Sequence, residues 1–221
     1  MLEAKNISKQ YNDCILENVS IKIHDKEVVA ISGPSGSGKS TLLFMLGQLT
    51  KPSSGEIFYK NKNLQELSDK EVSKIRNEDF GFIFQDTQLL NSYSVLENVL
   101  LPTEIAGKKG MLKKAKDMLI EFGLKERLDY YPYQLSIGQR RRVSIARALI
   151  MEPKIIFADE PTNDLDEKRA VEIEDLLLSL PNRGCAVVLV THDSRFLKKV
   201  PCCYEIDGTH LVKKTLCKSI L

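Results

Sequence analysis

The chain has 221 residues, 43% of them hydrophobic and 28% charged, which is ordinary for one large globular domain or a domain with a smaller inserted lobe. Its 32 Lys and Arg against 30 Asp and Glu give a formal net charge of +2, a balance that demands neither nucleic acid nor an acidic surface as partner. Because the five cysteines are scattered and we find neither a secretory leader nor an apolar run of membrane-spanning length, we expect a protein of the reducing cytoplasm.

The first third of the chain predicts short strands, because its apolar residues alternate with polar ones or run together with β-branched side chains. A glycine-rich turn over residues 33–38 separates the third strand from a helix. Ser68, with Glu71 three residues later, fits the cap of a second, polar helix. The expected elements are strands over 3–7, 15–23 and 28–32, a helix over 39–48, a turn over 52–55, a strand over 56–60, a helix over 68–77 and a strand over 80–84.

From about Asp86 the pattern becomes mostly helical, and strands return after residue 150. The expected elements are helices over 95–105, 111–122 and 136–149, then strands over 154–158, 186–190, 204–206 and 211–214, with a helix over 167–179. This order indicates one domain over residues 1–221. Its mixed α/β core is formed by 1–85 and 150–221 and is interrupted by a helical subdomain over about 86–149.

The strongest motif is the phosphate-binding pattern G-x-x-x-x-G-K-[ST], which follows the apolar strand VVAIS and precedes a helix. Glycines let backbone N–H groups turn inward as an anion nest, and the helix N-terminus adds partial positive charge. Lys39 is expected to reach the β- and γ-phosphates of a nucleotide, and the Ser40 hydroxyl to bind Mg²⁺. The alternative is a plain glycine-rich turn, which the strand–loop–helix context disfavours. The motif comprises Gly33, Pro34, Ser35, Gly36, Ser37, Gly38, Lys39, Ser40 and Thr41.

A second apolar strand ends in two carboxylates, in the segment IIFADE. Asp159, at the end of this strand, is suited to holding Mg²⁺ through water. Glu160 is suited to polarising the attacking water as a general base. The alternative is a strand followed by an acidic turn, which the phosphate motif upstream makes less attractive.

Further segments, in the same chain order, resemble the nucleotide-binding domain of ABC transporters over essentially the whole chain. LSIGQ at residues 135–139 resembles the family signature LSGGQ, and Gln85 resembles the glutamine that senses Mg²⁺ and the attacking water. His192 in VTHD resembles the switch histidine that contacts the γ-phosphate, and Tyr11 resembles the aromatic residue that stacks on adenine. Asn163–Asp166 resembles the loop that crosses the dimer. Taken alone, Gln85 carries no signal, His192 also fits a buried and satisfied histidine, and Tyr11 also fits ordinary packing.

The resemblance implies an α/β fold: a P-loop NTPase with a mixed core sheet, an N-terminal antiparallel β subdomain and an inserted helical subdomain. It implies ATP and Mg²⁺ as cofactors and ATP hydrolysis as the reaction. It places Glu160, His192 and Gln85 in catalysis. The implied metal ligands are Ser40, Gln85 and Asp159.

The resemblance also implies a homodimer in which two copies face each other head to tail with ATP between them. Ser136, Gly138 and Gln139 of one copy then touch the γ-phosphate held by the other. A capping box of Ser136 with Gln139 explains the same residues locally, and both interpretations can hold. Ile137 replaces the first glycine of the signature. In an active protein it requires a negative φ and a side chain that points away from the phosphate, leaving the close approach to Gly138.

Three arginines, Arg140, Arg141 and Arg142, follow the signature directly. On a helix they point in three directions, so they do not form the stripe that a nucleic acid would need. We expect no nucleic-acid partner. We expect the arginines to pair with carboxylates and phosphate-proximal groups around the helix.

The segment FGFIFQDTQLLNSYSVLENVLLPTEIAG resembles the bacterial branch that works with lipoprotein-releasing, macrolide-efflux and antimicrobial-peptide-efflux permeases. Asn163 and Asp164 depart from this branch, which usually has glycine and asparagine there. The resemblance implies a separate membrane permease as partner and a peripheral location on the inner face of the cell membrane. A permease helix is expected to dock on residues 85–101, at the apolar residues Leu89, Leu90, Tyr93 and Val95.

Two other functions fit the same motifs. One is the cell-division ATPase that pairs with a permease-like protein. The other is a soluble ATPase of DNA repair or translation, which the short spacing and the single nucleotide-binding domain disfavour.

Overall fold

The computed structural model describes residues 1–214 and contains two sheets. The smaller sheet is antiparallel throughout, in the order β2-β1-β4-β5. Its strands are β1 (Leu2–Gln10), β2 (Cys14–Ile23), β4 (Ser54–Tyr59) and β5 (Lys62–Asn63). The alternation of apolar and polar residues decides which face of this sheet is buried. In β2, the residues Leu16, Val19, Ile21 and Ile23 are buried while those between them are mostly exposed.

The larger sheet has the order β10-β9-β3-β8-β7-β6 and is parallel except for the final pair, β9 and β10. Its strands are β3 (Val28–Ser32), β6 (Phe80–Ile83), β7 (Ile155–Asp159), β8 (Ala186–Val190), β9 (Cys202–Asp207) and β10 (His210–Lys214). β7 and β8 are buried along their whole length, as expected for parallel strands covered on both faces. The carboxyl ends of β3, β6, β7 and β8 therefore meet at one edge of the sheet.

Seven α-helices lie within the described residues: α1 (Lys39–Leu46), α2 (Asp69–Glu78), α3 (Val95–Ile105), α4 (Leu112–Glu121), α5 (Ile137–Leu149), α6 (Glu167–Ser179) and α7 (Ser194–Lys199). Helix α1 packs between the two sheets, where Leu42 and Leu46 join the main core. Residues of α3, α4 and α5 form a separate apolar cluster. Helix α5 contributes Val143 to that cluster and Ile145 to the core beneath the large sheet, so it connects the two.

The structure confirms the predicted mixed α/β fold and the antiparallel N-terminal sheet. Every strand and helix expected from the sequence is present, with ends displaced by one to three residues in most cases. The two-residue strand β5 and the six-residue helix α7 were not expected. Asp193 accepts a hydrogen bond from the Arg195 backbone N–H at the start of α7, so a cap residue was available as a signal for this helix.

No helix among residues 1–214 combines the length and the apolar character needed to cross a membrane. Cys14, Cys185, Cys202 and Cys203 are free thiols, and Cys217 lies outside the described residues.

Candidate functional site

The carboxyl edge of the large sheet surrounds an open cavity of about 470 Å³. Segments that are far apart in the chain supply its walls, because each one follows a strand that ends at this edge. The lining residues are Gly33, Pro34, Ser35, Gly36, Lys39, Ser40, Gln85, Glu160, Asn163, Val190 and His192. Most residues of the phosphate motif therefore meet Gln85, Glu160 and His192 in one place.

The phosphate loop has the backbone that an anion nest requires. Gly36 and Gly38 have φ values of 77° and 91°, in the left-handed region that favours glycine. A Cβ at Gly38 would also come 2.7 Å from Ile15 Cγ2, so both conformation and space require glycine there. Helix α1 begins directly after Gly38 without a side-chain cap, which leaves its first N–H groups available to an anion.

The Lys39 ammonium lies across the phosphate loop. It donates to the Gly33 carbonyl at 3.0 Å and to the Pro34 carbonyl at 2.7 Å. The loop thus holds a fixed positive charge over its own backbone amides. A phosphate group that binds here meets an ammonium and the positive end of a helix together.

A hydroxyl and a carboxylate meet beneath the loop. Ser40 Oγ donates to Asp159 Oδ1 at 3.0 Å, and Asp159 is only 4% exposed. Burial raises the pKa of the Asp159 carboxyl above its usual value, while the Ser40 hydrogen bond and Lys39 oppose that shift. Gln85 lines the same cavity. One carboxylate, one hydroxyl and one amide oxygen form a donor set that fits Mg²⁺, which usually takes one or two carboxylates and completes its shell with water and phosphate oxygens.

Glu160 and His192 form a pair at the other side of the cavity. His192 Nδ1 lies 2.9 Å from Glu160 Oε1, so a ring protonated at Nδ1 donates to the carboxylate and leaves Nε2 for another partner. Glu160 has a φ of 43°, a left-handed conformation that costs a non-glycine residue about 1–3 kcal/mol. Its N–H donates to the Val190 carbonyl and its carbonyl accepts from the Asn163 N–H, and these bonds hold the strained residue in place.

The signature segment lies apart from this cavity. The Ser136 side chain accepts from the Gln139 N–H and the Gln139 side chain accepts from the Ser136 N–H, so the expected capping box is present. Ile137 is the first residue of α5, its φ is not positive and its side chain is 49% exposed. Gly138 is buried, and a Cβ there would lie 3.0 Å from Arg169 Cδ. None of Ser136, Gly138 and Gln139 lines the cavity in the same chain.

Tyr11 also lies outside the cavity lining. Its ring is exposed, and Lys9 Nζ lies 4.8 Å from the ring centroid. The ring is therefore available for stacking.

The arginines after the signature were expected to pair with carboxylates and phosphate-proximal groups. The carboxylate part is wrong for Arg140 and Arg141, although Arg141 does bond the carbonyl of Gln85, which lines the cavity. Arg140 donates to the Leu135 carbonyl at 2.7 Å, and Arg141 donates to two backbone carbonyls after β6. Arg142 donates to the Phe122 carbonyl at 3.1 Å and lies 3.9 Å from Glu172. The three side chains do point to three different places, but a helical pattern does not reveal which backbone carbonyls the fold leaves without partners.

The comparisons with known proteins agree with this geometry. The profile of the ABC transporter family matches residues 16–163. The chain is 43% identical over 205 residues to the uncharacterized ABC transporter ATP-binding protein MJ1508 of Methanocaldococcus jannaschii, covering 90% of this chain and 92% of the relative. It is 41% identical over 226 residues to the lipoprotein-releasing system ATP-binding protein LolD of Wigglesworthia glossinidia brevipalpis, covering 98% of each.

A solved structure extends this likeness to three dimensions. The ATP-binding cassette MJ0796, as a dimer in a post-hydrolysis state bound to ADP and Pi, superposes with a TM-score of 0.91. The identity is 38%, and the match covers 98% of this chain and 99% of the other.

Proposed function

This chain belongs to the ABC transporter family and is an ATPase, and from that premise we propose that it dimerises on ATP and drives a separate membrane permease. The observation that carries the proposal is the single cavity in which Lys39, the Ser40–Asp159 pair and the Glu160–His192 pair converge. Phosphate binding, metal binding and water activation thus have their groups within one site.

The chemistry follows from the positions of these groups. Lys39 and the N–H groups at the start of α1 bind the β- and γ-phosphates. Ser40, Gln85 and Asp159 would hold Mg²⁺, which would supply positive charge against the phosphate oxygens. Glu160 accepts the proton of the attacking water, and His192 orients the Glu160 carboxylate through Nδ1 while Nε2 faces the γ-phosphate.

The signature completes the site from a second copy of the chain. The backbone N–H groups at the start of α5 and the Ser136 hydroxyl suit a phosphate, yet the cavity beside Lys39 contains none of them. A head-to-tail dimer brings the signature of one copy to the nucleotide of the other. Tyr11 stacks on the adenine at the outer end of the same nucleotide.

The permease docks in an apolar groove of about 320 Å³ between the helical subdomain, at about 86–149, and the core. Leu90 and Ile105 are the exposed apolar residues of this groove, which Phe82, Phe84 and Pro102 also line. Three of the four residues expected at the docking surface lie outside this groove. Val95 is fully buried in the helical cluster, Leu89 packs partly buried against it, and Tyr93 is exposed elsewhere. The proposed docking surface thus includes fewer of residues 85–101 than the sequence predicted.

The likeness to proteins named for lipoprotein release supports placing this chain in that branch of the family. The permease would then move lipoprotein or a related hydrophobic cargo out of the membrane. The ATPase is then peripheral on the inner face of the cell membrane. The permease makes the contacts that select the cargo.

The test of the proposed chemistry is Glu160→Gln, which removes the base while keeping the size of the side chain. We expect ATP binding to persist and turnover to fall by about 10²–10⁴-fold. Light scattering should show a dimer that forms with ATP and persists because hydrolysis no longer opens it. Glu152→Gln, at an exposed carboxylate outside the cavity, is the matched control. Turnover of Glu160→Gln within a few-fold of the unsubstituted protein removes Glu160 from this role.

A further inference from the structure

One buried cation has no part in the site described so far. Arg141 is 2% exposed, and its hydrogen bonds go to backbone carbonyls rather than to a carboxylate. Its Nη1 donates to the Phe84 carbonyl at 2.5 Å and its Nη2 to the Gln85 carbonyl at 2.7 Å. Among the described residues its Nε has no acceptor. Burial of a guanidinium is costly, so its two bonds to consecutive carbonyls are the interaction that offsets the cost.

A second arginine holds the same stretch of backbone further along. Arg147 donates to the Thr87 carbonyl at 2.9 Å and to the Gln88 carbonyl at 2.7 Å. Gln88 has a φ of 49°, a conformation that a non-glycine residue keeps only when its surroundings hold it. We call residues 84–88 the connector, since they lead from β6 to the helical subdomain.

The two arginines therefore fix the connector to α5 on either side of its bend at Gln85 and Asp86. Gln85 is the connector residue that lines the nucleotide cavity. The backbone carbonyl of Gln85 is bound to Arg141, so the direction of its side chain depends on that bond.

Helix α5 also reaches the two surfaces where other chains bind. Its first turn carries Gly138 of the signature, and near its other end Arg147 lines the apolar groove together with Leu90. A shift of α5 or of the groove must move the connector, because four hydrogen bonds join them.

We propose that Arg141 and Arg147 are positioning residues that hold the connector so that Gln85 lines the cavity together with Ser40. Through α5 they couple the position of Gln85 to the signature and to the permease groove. The inference rests on the proposed function, since that function assigns Gln85 to the metal and the attacking water. The arginines themselves touch neither.

The test begins with Arg141→Met, which keeps the length of the side chain and removes its donors. We expect kcat to fall by about 10- to 100-fold, as for a misplaced catalytic group, with the Kd for ATP within about twofold. Arg141→Lys restores one donor and should recover part of the loss. Arg142→Met is the matched control, because Arg142 is the next residue of α5 and bonds the Phe122 carbonyl instead. It should leave kcat within about twofold.

Amide hydrogen exchange gives a readout that does not depend on activity. We expect faster exchange in residues 85–90 of Arg141→Met, and no such change there in Arg142→Met. An equal rise across the whole chain, together with a loss of ATP affinity, contradicts a positioning role. If Arg141→Met does not fold, Arg147→Met is measured in its place, since Arg147 holds the outer end of the connector and is less buried.

A double-mutant cycle with Gln85→Ala decides the matter. If the arginine acts through Gln85, Gln85→Ala lowers kcat and adding Arg141→Met lowers it no further. If the two losses multiply, the arginine acts elsewhere and the inference is overturned while the assignment of Gln85 stands. If Gln85→Ala alone leaves kcat unchanged, the assignment of Gln85 fails and the inference fails with it.

Discussion

The cavity at the carboxyl edge of the large sheet and the signature segment differ in whether their functional groups meet partners within the same chain. In the cavity, functional groups already contact each other: Ser40 bonds Asp159, and Glu160 bonds His192. At the signature, Ser136 and Gln139 satisfy each other in a capping box, and no group of the cavity comes to meet them. The cavity is a set of converging side chains. The signature is a well-formed helix start whose N–H groups and hydroxyl do not reach the cavity of the same chain. From this difference we propose that the hydrolytic site is divided between two copies.

The signature is tested by comparing the ATPase activity of variants at two neighbouring residues, Ile137 and Gly138. Gly138→Asp adds a side chain and a negative charge at the start of α5, beside Arg169 and where we propose that the nucleotide of the other copy approaches, so we expect steady-state ATPase to fall by about 10²–10³-fold. Ile137→Gly removes an exposed side chain at the first residue of α5 and should leave ATPase within about tenfold, which corresponds to about 1.4 kcal/mol.

Thermal unfolding of both variants checks that the fold is intact, since Arg169 must shift to accept a side chain at residue 138. Loss of activity in Ile137→Gly beside a functional Gly138→Asp would reverse the assignment of these two contacts.

The cavity side is tested by Lys39→Ala, which removes the ammonium that spans Gly33 and Pro34. We expect ATP affinity measured by calorimetry to weaken by about 2–3 kcal/mol, the range for a charge-assisted contact. Lys70→Ala, at an exposed lysine of α2, should leave affinity unchanged. Equal affinity in Lys39→Ala and the unsubstituted protein would show that the loop does not hold the phosphates.

The smallest effect on basal ATPase is expected at the groove. Leu90→Glu puts a charge on a side chain that is 42% exposed and lies outside the cavity. Stimulation of ATPase by the permease and co-purification with it should be lost, while basal ATPase stays within about twofold because the charge remains in water. Ile120→Glu, on α4 and 45% exposed, is the matched control outside the groove. A collapse of basal ATPase with early unfolding would mean that Leu90 belongs to the core.

The sequence indicated which residues line the cavity better than it indicated which contacts surround them. The phosphate motif could be read directly because strand, glycine loop and helix N-terminus are neighbours in the chain, and the capping box at Ser136 is equally local. The strands followed from alternation and from continuous apolar runs, since side-chain burial at period two depends on the strand itself, whereas their arrangement in two sheets was implied by the family resemblance.

The sequence did not predict the hydrogen bonds that long side chains make with backbone carbonyls far away in the chain. Arg141 reaches carbonyls 56 and 57 residues away, and no spacing rule indicates which carbonyls lack a partner after β6 ends. Val95 was expected at the surface for a similar reason, because only the packing of α3 against α4 and α5 decides which of its sides faces inward. Tertiary packing, rather than local propensity, sets both outcomes.

The central claim, that each site is completed by a second copy, is tested most directly by adding Gly138→Asp to Glu160→Gln. Glu160→Gln alone should form a dimer with ATP. The double variant should bind ATP as a monomer with a Kd within about twofold, an energy change below about 0.5 kcal/mol, yet remain monomeric in light scattering. If instead Gly138→Asp weakens monomer binding as much as Lys39→Ala does, or if the double variant still dimerises, the signature acts within its own chain and the account is contradicted.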